Sequence, residues 1–199
     1  MKNLRKKFTA AEIRDLIIVI LGVALILAYP DLKSKFFLYL IIISISLFLR
    51  QVFHKLMANK LECMTTFRLW PLGVTLGLVT LLLKTTFGFF FAALGFIEIV
   101  PYKFGRWGIK LIKMTPRDYA HIALAGLSVN LFFLIFFGIW YSINPVEIFK
   151  TISIINGILA FFSSLPLPSL EGGHIFTASI WTWVSVMSII LFFFAFILV

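Results

Sequence analysis

Apolar positions in this chain fall into long unbroken runs, not into the alternation of a half-buried strand or the stripe of a surface helix. The first run, Leu16–Tyr29, follows Thr9-Ala-Ala-Glu12, a capping-box pattern that satisfies free backbone N–H groups at a helix start. Pro30-Asp31 ends it. The second begins near Phe36 and runs through Leu49, and its polar end, Arg50-Gln51-Val52-Phe53-His54-Lys55, still reads as helix. Two shorter runs, Leu69–Leu83 and Phe87–Val100, flank Lys84. A crossing helix needs about 20 residues, so these two are expected to be tilted helices, a re-entrant pair or partly extended structure. Thr115-Pro116-Arg117-Asp118 then marks a helix start, with a hydroxyl at the cap, Pro at the first position and an acid at the third. The span it opens covers about Tyr119–Tyr141. Another runs about Thr151–Leu165 and breaks at Pro166 and Pro168, and the last begins near His174 and continues to Val199.

Six to seven apolar segments, two of them short or re-entrant, define an all-α integral membrane protein. Composition agrees: 61% of the 199 residues are hydrophobic, 13% are charged, and the mean hydropathy is +1.06. A soluble globule of this size cannot hide that much apolar surface, and disorder and collagen are excluded by the same numbers. The chain reads as a single transmembrane domain over residues 1–199, with no separate soluble domain. The lipid bilayer is its first partner.

The net charge of +10 would suggest nucleic acid in a soluble protein. Here the cations sit at the ends of apolar runs, so no nucleic-acid partner is expected. With the N-terminus inside, residues 1–14, 55–68 and 103–117 hold 13 Lys and Arg, against Lys33, Lys35, Lys84 and Lys150 outside. That asymmetry predicts a multi-pass protein with a cytoplasmic N-terminus. Cys63 is the one cysteine and cannot form an intrachain disulfide. No removable signal peptide is expected, because the first run lacks a small-residue cleavage site.

Ionisable groups at membrane depth mark functional candidates. They cluster in Arg50–His54 and in Pro166–His174, and more weakly in Ala125–Asn130 with His121. His121 reads as an interfacial capping or packing histidine. Gly73 and Gly77 form a small-xxx-small pattern that marks helix packing. Gly126, Ser128 and Asn130 read as a second packing surface, Ser128 and Asn130 as interhelical hydrogen-bonding groups. Glu98, alone in an apolar run, is expected to pair with Lys103 or Arg106.

The order of these motifs resembles the site-2-type intramembrane zinc metalloproteases. In that family a helix carries His-Glu-x-x-His, and a later helix end carries Asn-x-x-Pro-x-x-x-Leu-Asp-Gly-Gly. Two His and the Asp hold zinc, and the Glu activates the bound water. The matching text is His54-Lys55 with Ala58, Trp70-Pro71-Leu72-Gly73, Ala123–Asn130, and Leu170-Glu171-Gly172-Gly173-His174-Ile175. The resemblance covers about residues 36–183 and implies the family's transmembrane core arrangement.

The departures from that pattern carry the functional reading. Arg50 stands at the first His position and cannot bind a metal, because its guanidinium stays protonated. Gln51 stands for the general-base Glu and has no basicity. His54 remains, Glu171 replaces the Asp, and Ser163 replaces the Asn. The resemblance therefore implies a dismantled site, with no catalytic residue, metal or cofactor expected. It implies a non-catalytic pseudoprotease that binds or scaffolds single-span membrane proteins or sits in a larger membrane assembly. Without zinc, Arg50 and Glu171 would each be a costly lone charge, so a two-pronged ion pair between them is expected, with His54 beside it. One alternative is an active zinc protease using His54, Glu171 and His174. Another is a small carrier or channel component. The charge asymmetry makes one direct prediction. A cysteine placed at Lys110 should react with an impermeant reagent from the cytoplasmic side, and one at Lys33 only from the opposite side; the reverse pattern rejects the orientation.

Overall fold

The computed structural model describes residues 8–88, 90–105 and 108–198. Seven helices and four short strands occur among them, so the chain is mostly but not wholly helical. Helix α1 (Ala10–Ala28) starts with the Thr9–Glu12 capping box. Helix α2 (Leu32–Lys60) runs unbroken through the Arg50–Lys55 segment. Strand β1 (Met64–Leu69), helix α3 (Pro71–Phe87) and strand β2 (Gly95–Val100) follow. A hairpin of β3 (Tyr102–Gly105) and β4 (Gly108–Leu111) leads to α4 (Pro116–Ile143), which starts with a second capping box, Thr115–Asp118. Helices α5 (Glu147–Ser163), α6 (Glu171–Ala178) and α7 (Ile180–Leu198) complete the fold. Three helices, Leu32–Lys60, Pro116–Ile143 and Ile180–Ile197, are long and apolar enough to cross a membrane, which makes this a membrane protein.

The all-α expectation fails at residues 64–100. The run Phe87–Val100 is not a helix. Gly88, at φ +67°, ends α3 in a left-handed conformation that suits glycine, and the chain goes on to enter strand β2. Thr80 Oγ1 accepts from Phe91 N–H at 2.9 Å, and Leu94 carbonyl accepts from Trp70 N–H at 2.9 Å. Gly73 and Gly77 are where α3 meets this return. A Cβ on Gly73 would strike the Ala93 carbonyl, and one on Gly77 would strike Leu94 and Ile26 of α1. Strand β2 then pairs antiparallel with β1, Thr66 opposite Glu98 and Arg68 opposite Phe96. Its β-branched Ile97, Ile99 and Val100 suit that state. Glu98 meets β1: Arg68 Nε donates to its carboxylate at 3.0 Å and Thr66 Oγ1 at 3.2 Å. The partners expected from the sequence, the Lys103 side chain and Arg106, lie outside what is described.

Two acids of α1 hold the other side of β1. Glu12 Oε1 accepts from Phe67 N–H at 3.1 Å and from Lys55 Nζ at 2.7 Å, and Asp15 Oδ2 accepts from Leu69 N–H at 3.3 Å. Three residues apart, these acids share a helix face. They satisfy the N–H groups that β1 does not offer to β2, and so close that edge. At the far end of α1, Lys84 Nζ donates to the carbonyls of Ile26, Leu27 and Tyr29 at 2.6–2.8 Å, satisfying groups the helix leaves open.

One core cluster joins α1, α2, β1, the 91–97 return and α5, with the Phe91 ring in contact with both Trp70 and Phe162. A second joins α4, α5, α6 and α7 through Leu127, Leu134, Ile175 and Ile190. The last apolar stretch is two helices, broken at Ser179, and Trp183 Nε1 ties α7 to the Ser164 carbonyl at 2.7 Å. The Glu12 anchor yields a prediction. Lys55→Met should destabilise the protein by about 3 kcal/mol, the lower end for breaking a buried pair. Glu12→Gln should cost a similar amount, and the double variant less than the sum, in reversible unfolding from detergent micelles.

Candidate functional site

Four helices deliver one residue or more each to a buried polar cluster. Arg50 and His54, four apart, share a face of α2. Glu171 is the first residue of α6, and Ser163 the last of α5. Helix α4 supplies the carbonyl of Ile122 and the bare backbone of Gly126, whose Cβ would overlap the His54 ring. Gly172 and Gly173 set Glu171 in place. A side chain at either would collide with the backbone of the Ser164–Pro168 turn, so the glycines let α6 lie directly on that turn.

The contacts converge on a single oxygen. Glu171 Oε1 lies 2.6 Å from Arg50 Nη2, and accepts from Arg50 Nε at 3.1 Å and meets His54 Nε2 at 2.9 Å. Arg50 Nη2 also donates to Ser163 Oγ at 2.6 Å, and Ser163 Oγ–H donates to the Leu159 carbonyl. The pairing is therefore not the fork-on-fork arrangement expected from the sequence, because Glu171 Oε2 is buried without a hydrogen-bond partner. The guanidinium splits its donors between carboxylate and hydroxyl. Relative exposures of 7% for Arg50, 0% for His54 and 3% for Glu171 leave water little part in the cluster.

Proton positions follow from the acceptors. The Ile122 carbonyl only accepts, so His54 Nδ1, 2.9 Å away, carries a hydrogen. His54 Nε2 then faces a carboxylate oxygen with one proton between them, on the ring or on the acid. In both cases Arg50, His54 and Glu171 together carry one positive charge.

That arrangement does not fit zinc. A metal ligand must offer a lone pair, yet the Nε2 and Oε1 atoms face each other across a proton, and the Arg50 cation touches the same oxygen. His174 does not complete the alternative trio. Its ring stacks on Tyr119, with centroids 5.6 Å apart. Among the described residues, no three His, Cys, Asp or Glu side chains gather so as to hold a metal. Gln51 is buried on α2 and joins none of these contacts among the described residues. Cys63, in the turn after α2, donates to the Ala58 carbonyl, and burial pushes its thiol up to about 11, so it is neither nucleophile nor ligand at neutral pH.

The packing groups expected on α4 behave differently from one another. Gly126 seats His54. Ser128 is exposed and donates to the Ala125 carbonyl of its own helix, while Asn130 is fully buried with neither amide atom bonded. Neither makes the interhelical hydrogen bond expected of it. The Glu12–Lys55 pair, one residue from His54, escaped the sequence reading, which treated Glu12 only as a cap. The i, i+3 spacing of Glu12 and Asp15 on an apolar helix was the available signal.

A membrane protein with this cluster has a recognisable relative. A protein of Methanocaldococcus jannaschii named "Putative zinc metalloprotease MJ0611" is 31% identical over 183 residues, covering 89% of this chain and 89% of that protein. The chain belongs to this zinc-metalloprotease-like family. No family profile and no solved structure matches it.

The cluster predicts an unequal pair of costs. Arg50→Ala leaves Glu171 with His54 and a shared proton, whereas Glu171→Ala leaves the buried guanidinium facing only Ser163. Glu171→Ala should therefore be the more damaging, near the upper end of the roughly 3–5 kcal/mol range for an orphaned buried charge. Arg50→Ala should fall near the lower end, and the double variant should lose less than the sum. Chemical unfolding of the four proteins in one detergent measures all three comparisons.

Proposed function

We propose that the chain is a multi-pass, site-2-type membrane pseudoprotease that has lost zinc chemistry and binds or scaffolds other membrane proteins. The observation that carries this reading is the Arg50 guanidinium lying against Glu171 and Ser163, where the family pattern has metal ligands and their neighbour. A zinc site activates water by withdrawing electron density and needs a base to take the proton. This cluster offers a cation and, at the base position, an amide.

The sheet edge beside the cluster supports a binding role. Arg50, Ser163 and Glu171 line a small cavity of about 20 Å³ together with Phe67 and the return segment Ala92–Phe96. Phe67 and Leu69 give their N–H groups to α1, so Thr66 and Arg68 face β2 and are met by Glu98 and Phe96. Gly95, Ile97 and Ile99 therefore direct their backbone groups to the other edge of β2. An unpaired edge is a template for an extended segment of another chain.

Elemental analysis of the purified protein tests the loss of zinc. The expected result is well under one zinc per chain and no cleavage of single-span membrane proteins in proteoliposomes. Stoichiometric zinc that disappears in His54→Ala, together with peptide-bond cleavage, would return the chain to the active zinc metalloproteases.

A further inference from the structure

Away from the buried cluster, α4, the end of α6 and the start of α7 enclose a cavity of about 360 Å³ lined by Arg117, Ala120, His121, Leu124, Ile175, Ala178, Ser179 and Thr182. Its polar groups are donors with hydrogens to spare. Among the described residues, the Arg117 guanidinium and the His121 ring make no hydrogen bond or ion pair, and neither does the Thr182 hydroxyl. Ser179 Oγ accepts from Thr182 N–H at 3.3 Å, which leaves its own hydrogen available. No carboxylate lines the cavity. Asp118, in the same turn as Arg117, is turned back to the Thr115 N–H and hydroxyl at 2.7 and 2.8 Å.

The cavity's place in the fold narrows the ligand. Two of the three helices that form it, α4 and α7, are long and apolar enough to cross a membrane, and Arg117, His121 and Thr182 lie within their first two turns. At about 1.5 Å of rise per residue, that is within about 9 Å of the helix ends, the level of the headgroups. Leu124, Ile175 and Ala178 form an apolar wall below the donors.

We propose that this cavity is a phosphate-binding site filled by the headgroup of an anionic phospholipid. Arg117 supplies a planar fork of donors that matches two phosphate oxygens, and His121 supplies a third N–H. The hydroxyls of Ser179 and Thr182 reach the remaining oxygens, and the glycerol end of the lipid rests on the apolar wall. The lipid thereby bridges α4 to the α6–α7 junction.

Thermal unfolding of the full chain in a neutral detergent tests this, titrated separately with phosphatidylglycerol and with inorganic phosphate. Phosphatidylglycerol should raise the midpoint in a saturable way. R117Q should need about fivefold more lipid for half the effect, the loss of about one surface cation's attraction. H121Q should weaken binding further when combined with R117Q. K113Q, which removes a cation from the same segment but outside the cavity, should leave the titration close to that of the unaltered chain. Arg117, His121 and Lys113 are exposed, so the variants should unfold at the unaltered midpoint without lipid. No response to inorganic phosphate assigns the site to the lipid, and an equal response assigns it to free phosphate, keeping the site but replacing its occupant. No saturable response to either ligand overturns the proposal, as does equal weakening by K113Q and R117Q.

Discussion

Everything around the buried cluster depends on one oxygen atom, Glu171 Oε1, and on the donors that meet there. A carboxylate taken out of water is tolerated only when charge and hydrogen bonds replace the lost solvation. Arg50 and His54 do so from one face of α2, which fixes α6 against α2. His54 in turn fixes α4 through the Ile122 carbonyl, and Arg50 fixes the end of α5 through Ser163. Apolar contact between helices is weakly directional, and in lipid it has little hydrophobic drive behind it. The polar cluster supplies the register that such packing leaves open. Its glycines, Gly126, Gly172 and Gly173, serve the same end by letting backbones approach the charged groups.

A second constraint comes from β1. A strand inside an apolar protein has two edges whose N–H groups must be satisfied. Strand β2 takes one edge, and Glu12 and Asp15 take the other from the side of α1. Lys55 then neutralises Glu12 from the residue after His54. The sheet and the buried cluster are thus braced through neighbouring positions of α2. A shift of α1 would move β1 and, with it, the wall of the small cleft at Glu171.

How much of this could be read from the residues depended on range. The helix starts at Thr9 and Thr115 were legible, because a capping box is written in four consecutive residues. The continuation of α2 through Arg50–Lys55 was legible for the same reason, since nothing in that stretch breaks a helix. Residues 87–100 were legible only as an open choice between tilted helix, re-entrant pair and partly extended structure, because strand Gly95–Val100 is selected by pairing with Met64–Leu69, which periodicity does not register. Glu98 was assigned to the basic loop for want of that pairing. The site was visible only through the order of its motifs. Helical spacing puts Arg50 and His54 on one face but says nothing about Glu171, 121 residues from Arg50. The single-oxygen geometry was beyond reach, because it depends on where Ser163 draws the guanidinium.

The cluster also shows how an ion pair can join helices as a metal ion can. A zinc ion joins helices by drawing several lone pairs to one point. Here the point of convergence is an anion, and the converging groups are donors. The polarity is opposite to that of a metal site, and four helices meet at that point. Aspartate would reach less far toward α2, so the extra methylene of Glu171 suits a contact made directly and not through an intervening ion. The residual cost is Glu171 Oε2, buried with no partner. It is left so because Arg50 Nε and Nη2 and His54 Nε2 all meet the other oxygen.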